Sequence, residues 1–274
     1  MKIGIIGCGF VGSAVSVGFR DIYQIIVDPV KSRNTIKDMV DANVDVAFVC
    51  VPTPFDEDKA SVDGSYVLDV IQDLDAAKFK GVVALKSTIT PNFLRIIKSN
   101  YNLRLVYNPE FLTQKNAEHD FMFPAMTILG GNFKDTRVLS DLYTRYSWVD
   151  ITAPIFVTSI ETASMIKYTI NSWLATKVAF FNELYALNEV TGDIDNWDEF
   201  TAIVGHDPRI GKSHMRVPGD GDEFGFGGAC FPKDTNALAH YARNSQGDIL
   251  SILEAAMTSN ILNKEKRSVS EDQQ

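Results

Sequence analysis

Cys230 sits in the stretch FGFGGACFPKD, behind Gly225, Gly227 and Gly228 and three and four residues ahead of Lys233 and Asp234. Glycines expose backbone amides and leave room for a ligand. A helix expected to open near Asp234 turns its positive end towards the sulfur and favours the thiolate, the nucleophilic form. Without such company a lone cysteine reads equally well as a small buried apolar residue. A second pair interrupts an apolar stretch: Lys167 and Asn171 are four residues apart, so on a helix they share a face. Polar groups placed there are costly unless something polar meets them. A desolvated lysine has a lowered pKa and can take a proton from a hydroxyl. The plainer alternative is a lysine reaching solvent beside a hydrogen-bonded asparagine.

A third set stands where apolar runs end. Gly7-Cys8-Gly9-Phe10-Val11-Gly12 follows KIGII and opens a helix, and Asp28 closes the next run. In that order Gly7 permits a tight turn, Gly9 lets the backbone approach a pyrophosphate, and Gly12 lets helix and strand pack closely. The phosphates sit on the helix N-terminus at Phe10 and Val11, and Asp28 accepts from a ribose hydroxyl. The pattern points to a dinucleotide, and Asp28, by repelling a 2′-phosphate, favours NAD over NADP. Thr53 in VPTP, Thr88 in KST and Glu110 in NPEF end three further runs. Thr53 is a candidate cofactor contact, although its flanking prolines would also serve simply to stop a strand. Taken together, these strand-end groups outline a pocket. With a nicotinamide there, a Cys230 thiolate suits the covalent oxidation of an aldehyde.

The elements that must position these residues follow from periodicity. KIGIIG, YQIIVD, VDVAFVCV, GVVALKST, LRLVYN and AMTILGG read as strands, nearly all apolar as strands buried on both faces are. Thr90-Pro91 reads as the N-cap and first position of a helix through FLRIIKS, and another helix is expected over residues 136–146. The result is α/β: an N-terminal Rossmann-like, doubly wound parallel sheet over residues 1–155. Residues 156–274 are expected to form a helical central domain that holds the cysteine loop and a dimer interface. Its main element is a stretch from 159 to 189 without glycine or proline, with apolar residues at steps of three and four from Ala163 to Leu187. Met165, Trp173 and Phe180 lie off that stripe, so more than one face of the helix is expected to be covered. Further helices are expected at Asp195–Val204, Asp234–Asn244 and Ile249–Asn263, followed by a polar tail.

Composition bounds the function classes. The chain has 274 residues, 45% of them apolar, and a formal net charge of −9. That balance argues against nucleic acid, which is met by a basic stripe. No apolar run reaches spanning length and Met1 leads directly into a strand, so neither a signal peptide nor a membrane helix is expected. Three well-separated cysteines read as thiols in a reducing, cytoplasmic compartment. His119, His206, His214 and His240 have no metal-ligand spacing, and no metal is expected.

Read in order, GIIGCGFVG, VCVPTP, KSTITP, NPEFL, TASMIKYTINSWLATKVAFFNEL, DPRIG and FGFGGACFPKD resemble the UDP-glucose/GDP-mannose dehydrogenases. The 6-phosphogluconate and β-hydroxyacid dehydrogenases share the NAD domain and a similar Lys-x3-Asn helix but lack the cysteine loop. The resemblance implies a two-step oxidation of a primary alcohol, C6 of a nucleotide sugar, to a carboxylate, an activity that serves polysaccharide biosynthesis. It assigns the alcohol proton to Lys167, Asn171 and a water near Thr88 and Asp234. Covalent capture falls to Cys230, and water activation to Glu110. It places Lys233 on the cofactor side and the loop Phe224, Gly225, Phe226, Gly227 and Gly228 along the nucleotide. It brings Arg209 to the sugar from a partner subunit, so a homodimer through the long helix is implied. Arg209, Lys212, Arg216 and Lys233 supply local positive charge for an anionic substrate.

The chain departs from the family pattern in three places. Thr113 and Gln114 stand where a second glutamate is common, which implies slower thioester hydrolysis. The connection from Asp28 to Val44 is short and that from Arg209 to Cys230 is long. The usual C-terminal domain that grips the nucleotide has no counterpart in the sequence. Two other readings stay open: a non-catalytic NAD-binding subunit or regulator, and a two-electron hydroxyacid dehydrogenase.

Overall fold

The computed structural model describes residues 1–56, 61–219, 222–246 and 249–271. The chain divides into two compact units, Met1–Asp56 with Val62–Lys167, and the chain from Tyr168 on.

In the first unit the elements alternate: β1 (Lys2–Ile6), α1 (Phe10–Gly18), β2 (Tyr23–Val27), α2 (Ile36–Asp41), β3 (Val46–Val49), then the two-residue strands β4 (Phe55–Asp56) and β5 (Ser61–Val62). α3 (Ser65–Ala76), β6 (Val82–Leu85), α4 (Pro91–Asn100), β7 (Arg104–Tyr107), α5 (Ala117–Met122), β8 (Thr127–Gly130), α6 (Phe133–Tyr146) and β9 (Ile155–Thr158) complete the order, and α7 (Ile160–Thr191) begins here. One seven-stranded sheet runs β2-β1-β3-β6-β7-β8-β9, parallel throughout except where β8 runs against β7. Alternate strand residues face opposite layers. Ile3, Ile5, Val46, Phe48, Val82 and Ala84 meet α1, α5 and α6, whereas Ile6, Ala47, Val49, Val83 and Leu85 meet α2, α3 and α4. Both faces are therefore covered, and this is why the strands are apolar at nearly every position. On the first face Phe19, Phe48, Phe121 and Tyr143 form an aromatic cluster with ring centroids 5.3–6.3 Å apart.

The sheet register builds the functional edge. Ile6 pairs with Val27 and Val49, Val49 with Leu85, and Leu85 with Tyr107. One residue further on, Asp28, Gly7, Cys50, Lys86 and Asn108 stand in a row at the carboxyl ends of the strands. The strand order reverses between β1 and β3, the place where doubly wound sheets bind ligands.

The division falls at Lys167, later than the boundary at 155 expected from the sequence. β9 pairs with β8 in register Thr127↔Ile155, and Ile160 and Ala163 of α7 pack into the sheet's core, so these segments belong with the sheet.

The second unit is helical, with the rest of α7, α8 (Trp197–Val204), α9 (Phe231–Gln246) and α10 (Ser251–Glu271). Small residues let its helices approach: Ala175, Ala179 and Ala256 enclose Phe226, while Phe181, Trp197, Met215 and Val217 form a second cluster. In this one chain the expected covering of a further face of α7 is not seen. Trp173, Phe180 and Leu187, at seven-residue spacing, are 63%, 56% and 56% exposed. Among the described residues no helix is long and apolar enough to cross a membrane.

Candidate active site

At the head of α1 the three glycines do separate work. Gly7 has φ +83°, and a Cβ there would lie 3.0 Å from the Cys50 backbone; one on Gly12 would lie 2.0 Å from the Gly7 carbonyl oxygen. A Cβ on Gly9, by contrast, would meet nothing within 4 Å. Gly9 is also the N-cap of α1, where no side chain caps the helix. The amides of the first turn are thus open to an anion on the side a side chain would otherwise occupy. Asp28 Oδ2 accepts from the Cys8 amide at 2.7 Å, and Oδ1 accepts from Lys31 and Val30 amides, each at 2.9 Å. These donors, Cys8 first, hold its carboxyl below the usual carboxylate range. Asp28 therefore braces the glycine turn as well as facing a cleft of about 620 Å³, lined in part by Pro29, Ser32, Arg33, Ile36 and Val70. An open glycine, uncapped amides, an ionised Asp28 and an apolar-sided cleft fit NAD. Thr53 and Thr88 lie buried along the same edge, and the Ser87 hydroxyl donates to the Val51 carbonyl at 2.6 Å, tying the ends of β6 and β3 together.

Lys167 does not reach solvent. It is 2% exposed, and its Nζ donates to the Glu110 carbonyl at 2.5 Å and to Glu110 Oε1 at 3.3 Å. The other carboxylate oxygen of Glu110 accepts from the Leu112 amide at 2.6 Å. One turn earlier on α7, Ser164 donates to the Ile89 carbonyl at 2.7 Å and anchors the helix beside the strand edge. Gln114 is exposed, and Thr113 donates through its amide and hydroxyl to Asp120.

In the second unit, Asn171 Nδ2 donates to Asp234 Oδ2 at 2.6 Å, and Lys233 donates to Asp234 Oδ1 at 2.5 Å. Asp234 is fully buried, so two donors on its two oxygens offset the desolvation of its charge. Lys233, expected on the cofactor side, is engaged with Asp234. α9 begins at Phe231 rather than Asp234: the Cys230 carbonyl accepts from the Asp234 amide at 2.8 Å, making Cys230 the N-cap, and Pro232 fits the first turn, where no amide partner is required. The sulfur thereby stands closer to the helix terminus than the sequence suggested. Burial pushes the Cys50 thiol up to about 12 and Cys8 is buried, so of the three cysteines Cys230 has the setting of a nucleophile.

The loop before Cys230 is held by residues that sequence reasoning missed. Asn182 on α7 accepts from the Gly225 amide at 2.8 Å, and Asn260 on α10 accepts from the Phe226 amide at 2.6 Å and donates to its carbonyl at 3.1 Å. Gly225 has φ +75°, and a Cβ there would strike Asn260 Oδ1 at 2.2 Å. Phe226 was expected along a nucleotide, but its ring is a core residue and both its backbone polar groups are taken, so it fixes the loop; Phe224 packs on Tyr185. Gly227 and Gly228 remain at the surface side of the loop. Arg209 is exposed and paired with Asp207 through Nε and Nη2. The turn behind it is held by buried Lys177, whose Nζ donates to the Ile210 and Gly211 carbonyls, each at 3.0 Å. Lys177 interrupts the apolar run of α7 as Lys167 does, and that signal could have found it. Among the described residues no group of three His, Cys, Asp or Glu side chains could hold a metal ion.

Residues 28–147 match the model for the UDP-glucose/GDP-mannose dehydrogenase family, NAD binding domain, and residues 161–261 match the model for its central domain. A UDP-glucose 6-dehydrogenase of Rickettsia bellii is 36% identical over 240 residues, 84% of this chain and 51% of the relative. A UDP-glucose dehydrogenase structure from Pyrobaculum islandicum superposes with a TM-score of 0.81 at 25% identity, covering 95% of this chain and 68% of that one. A GDP-mannose dehydrogenase from Pseudomonas aeruginosa, solved as a ternary complex, gives 0.65 at 26% identity, covering 96% and 69%. The chain spans about half the length of the Rickettsia relatives it matches.

Proposed function

This chain belongs to the UDP-glucose/GDP-mannose dehydrogenase family, and from that premise we propose that it oxidises the C6 alcohol of a nucleotide sugar, UDP-glucose first, to the uronic acid. The observation that carries the reading is Cys230 at the head of α9, one turn before a buried Asp234 held by Asn171. NAD, held by Gly9, the first-turn amides of α1, Asp28, Thr53 and Thr88, supplies the hydride acceptor for both oxidation steps.

Lys167 and Asn171, with a water ordered by Thr88 and Asp234, take the alcohol proton as the C6 hydride leaves. The Cys230 thiolate then adds to the aldehyde carbon, and the resulting thiohemiacetal carbon gives up a second hydride to become a thioester. Water, assisted by the Glu110 carboxylate, cleaves the carbon–sulfur bond and restores the thiol. One alcohol, one water and two NAD become one carboxylate, two NADH and three protons. Covalent capture keeps the reactive aldehyde from escaping and splits one hard step into two easier ones. Gly227 and Gly228 leave backbone exposed for the sugar diphosphate. The apolar stripe of Trp173, Phe180 and Leu187 is surface that a second copy would cover, and the homodimer so formed lets Arg209 serve the partner's substrate. Three free thiols suit a reducing, cytoplasmic compartment.

The test mixes purified protein, NAD and a panel of UDP- and GDP-sugars, counting NADH against acid formed. Two NADH per uronic acid is the expected result. One NADH per product would put the chain with two-electron hydroxyacid dehydrogenases, and NAD binding without turnover of any sugar would make it a regulator.

A further inference from the structure

Lys86 takes no part in the chemistry above, yet it is 3% exposed at the end of β6. Its Nζ donates to the Asn108 carbonyl at 3.3 Å and to Asn108 Oδ1 at 3.2 Å. No carboxylate stands at ion-pair distance from it among the described residues. A buried ammonium without a salt bridge is a poor stabilising device, since an apolar side chain of similar volume commonly does as well or better. What it does hold is Asn108, all of whose polar groups are engaged. The Asn108 amide donates to Leu85 at 2.8 Å, Nδ2 donates to the Ile128 carbonyl at 3.0 Å, and Oδ1 also accepts from the Tyr143 hydroxyl at 2.7 Å. Pro109 follows with a fixed φ, and Glu110 comes next. Both the carbonyl and the carboxylate of Glu110 meet Lys167, so the placement of that pair depends on where Asn108 is held.

We propose that Lys86 is a positioning residue: by clamping Asn108 it sets the turn that presents Glu110 to Lys167, and so controls the step those two residues serve. The consequence for turnover rests on the reading of Glu110 given above; the clamp itself does not. The groups facing the ammonium are Cys50 after β3, Glu110 after β7, Lys167 on α7 and the Tyr143 hydroxyl on α6, with the Phe121 ring of α5 at 5.6 Å. Burial outweighs the carboxylate and brings the lysine down to about 8, so the clamp's charge is lost at mildly alkaline pH.

The test compares wild type, Lys86→Met and Tyr143→Phe by hydrogen exchange at the Leu112 amide, which Glu110 Oε2 holds. Lys86→Met should speed that exchange about 10-fold while the amides of α1 stay unchanged. With UDP-glucose and NAD, its kcat should fall about 30-fold with KM altered less than about threefold; the unchanged exchange of the α1 amides separates this from a loss of folded protein, which would also lower kcat at constant KM. Because a clamp that opens returns Lys86 to its solvated value, exchange at Leu112 in wild type, corrected for base catalysis, should fall about 10-fold from about pH 7 to about pH 9. Unchanged exchange in Lys86→Met overturns the proposal. If that variant does not fold, a wild-type exchange flat with pH and unmoved by Tyr143→Phe overturns it equally. Absence of turnover in wild type would sink the reading of the reaction and leave the exchange measurement to decide the clamp.

Discussion

Gly7, Cys50, Lys86 and Asn108 stand in one row because the backbone ladder of a parallel sheet puts them there; Cys230 stands at the end of the connection between α8 and α9, where no ladder reaches. In the first unit, position comes from main-chain register, and side chains such as Lys86 and Ser87 refine it. In the second, position comes from the side chains themselves: Asn182 and Asn260 grip the loop, and Lys177 grips the turn behind Arg209. A ladder spreads its load over many bonds, so losing one side chain leaves the strands in place and, as at Lys86, alters only the turn beyond them. A loop held by two side chains changes when one of them goes. The thiol to which we assign the covalent step is thus on the more adjustable of the two frames.

This contrast predicts a graded set of effects. Cys230→Ser removes the nucleophile we propose and should lower acid formation by at least about 10³-fold while NAD binding, measured by fluorescence titration, is unchanged. Acid formation that survives the change would remove Cys230 from the reaction. Asn260→Ala leaves the buried Phe226 amide and carbonyl without partners and should destabilise the protein by roughly 3 kcal/mol in urea unfolding. The corresponding loss in the sheet, Ser87→Ala, should cost about 1 kcal/mol. Equal losses at the two sites would erase the distinction between the frames. Lys86 gives the next effect. Burial lowers its pKa from 10.5 to about 8, so between those values the unfolded chain binds more protons than the folded one. Stability owed to this group should therefore rise with pH across that window, by roughly 3 kcal/mol in all, and Lys86→Met should abolish the rise. Denaturation curves of the two proteins at pH values below and above the window measure it directly. The smallest effect is expected for Lys177→Met, which frees the Ile210–Gly211 turn; KM for UDP-glucose should rise about fivefold with kcat nearly unchanged. A larger fall in kcat than rise in KM would place Lys177 in the chemistry instead.

Much of the first unit was legible in the sequence. Its strands are apolar on both faces and punctuated by Gly7, Pro52, Pro91 and Pro109, so β1, β3, β6 and β7 and the residues after them could be read directly. The short elements β9 and α5 were not, because four and six residues carry too little period to distinguish strand from helix. Lys167 and Asn171 were visible as polar breaks in an apolar helix, and Lys177 and Asn182 made the same break without being weighed. α9 begins three residues before Asp234, where a helix was expected to open; Pro232 marks its first turn. Phe226 could not be assigned to the core from its loop, since glycine-rich surroundings describe backbone freedom and say nothing of which ring a neighbouring helix will cover.

The sequence by itself determined the sheet and the glycine turn over Asp28, because β periodicity and backbone sterics act over a few residues and leave their mark locally. The tertiary structure alone decided who meets whom: Lys167 with Glu110, Asn171 with Asp234, Lys86 with Asn108, and two asparagines with a loop far from them in the chain. Those pairings join residues 22 to 63 positions apart, and what selects them is the cost of leaving a buried polar atom without a partner once the core has closed around it.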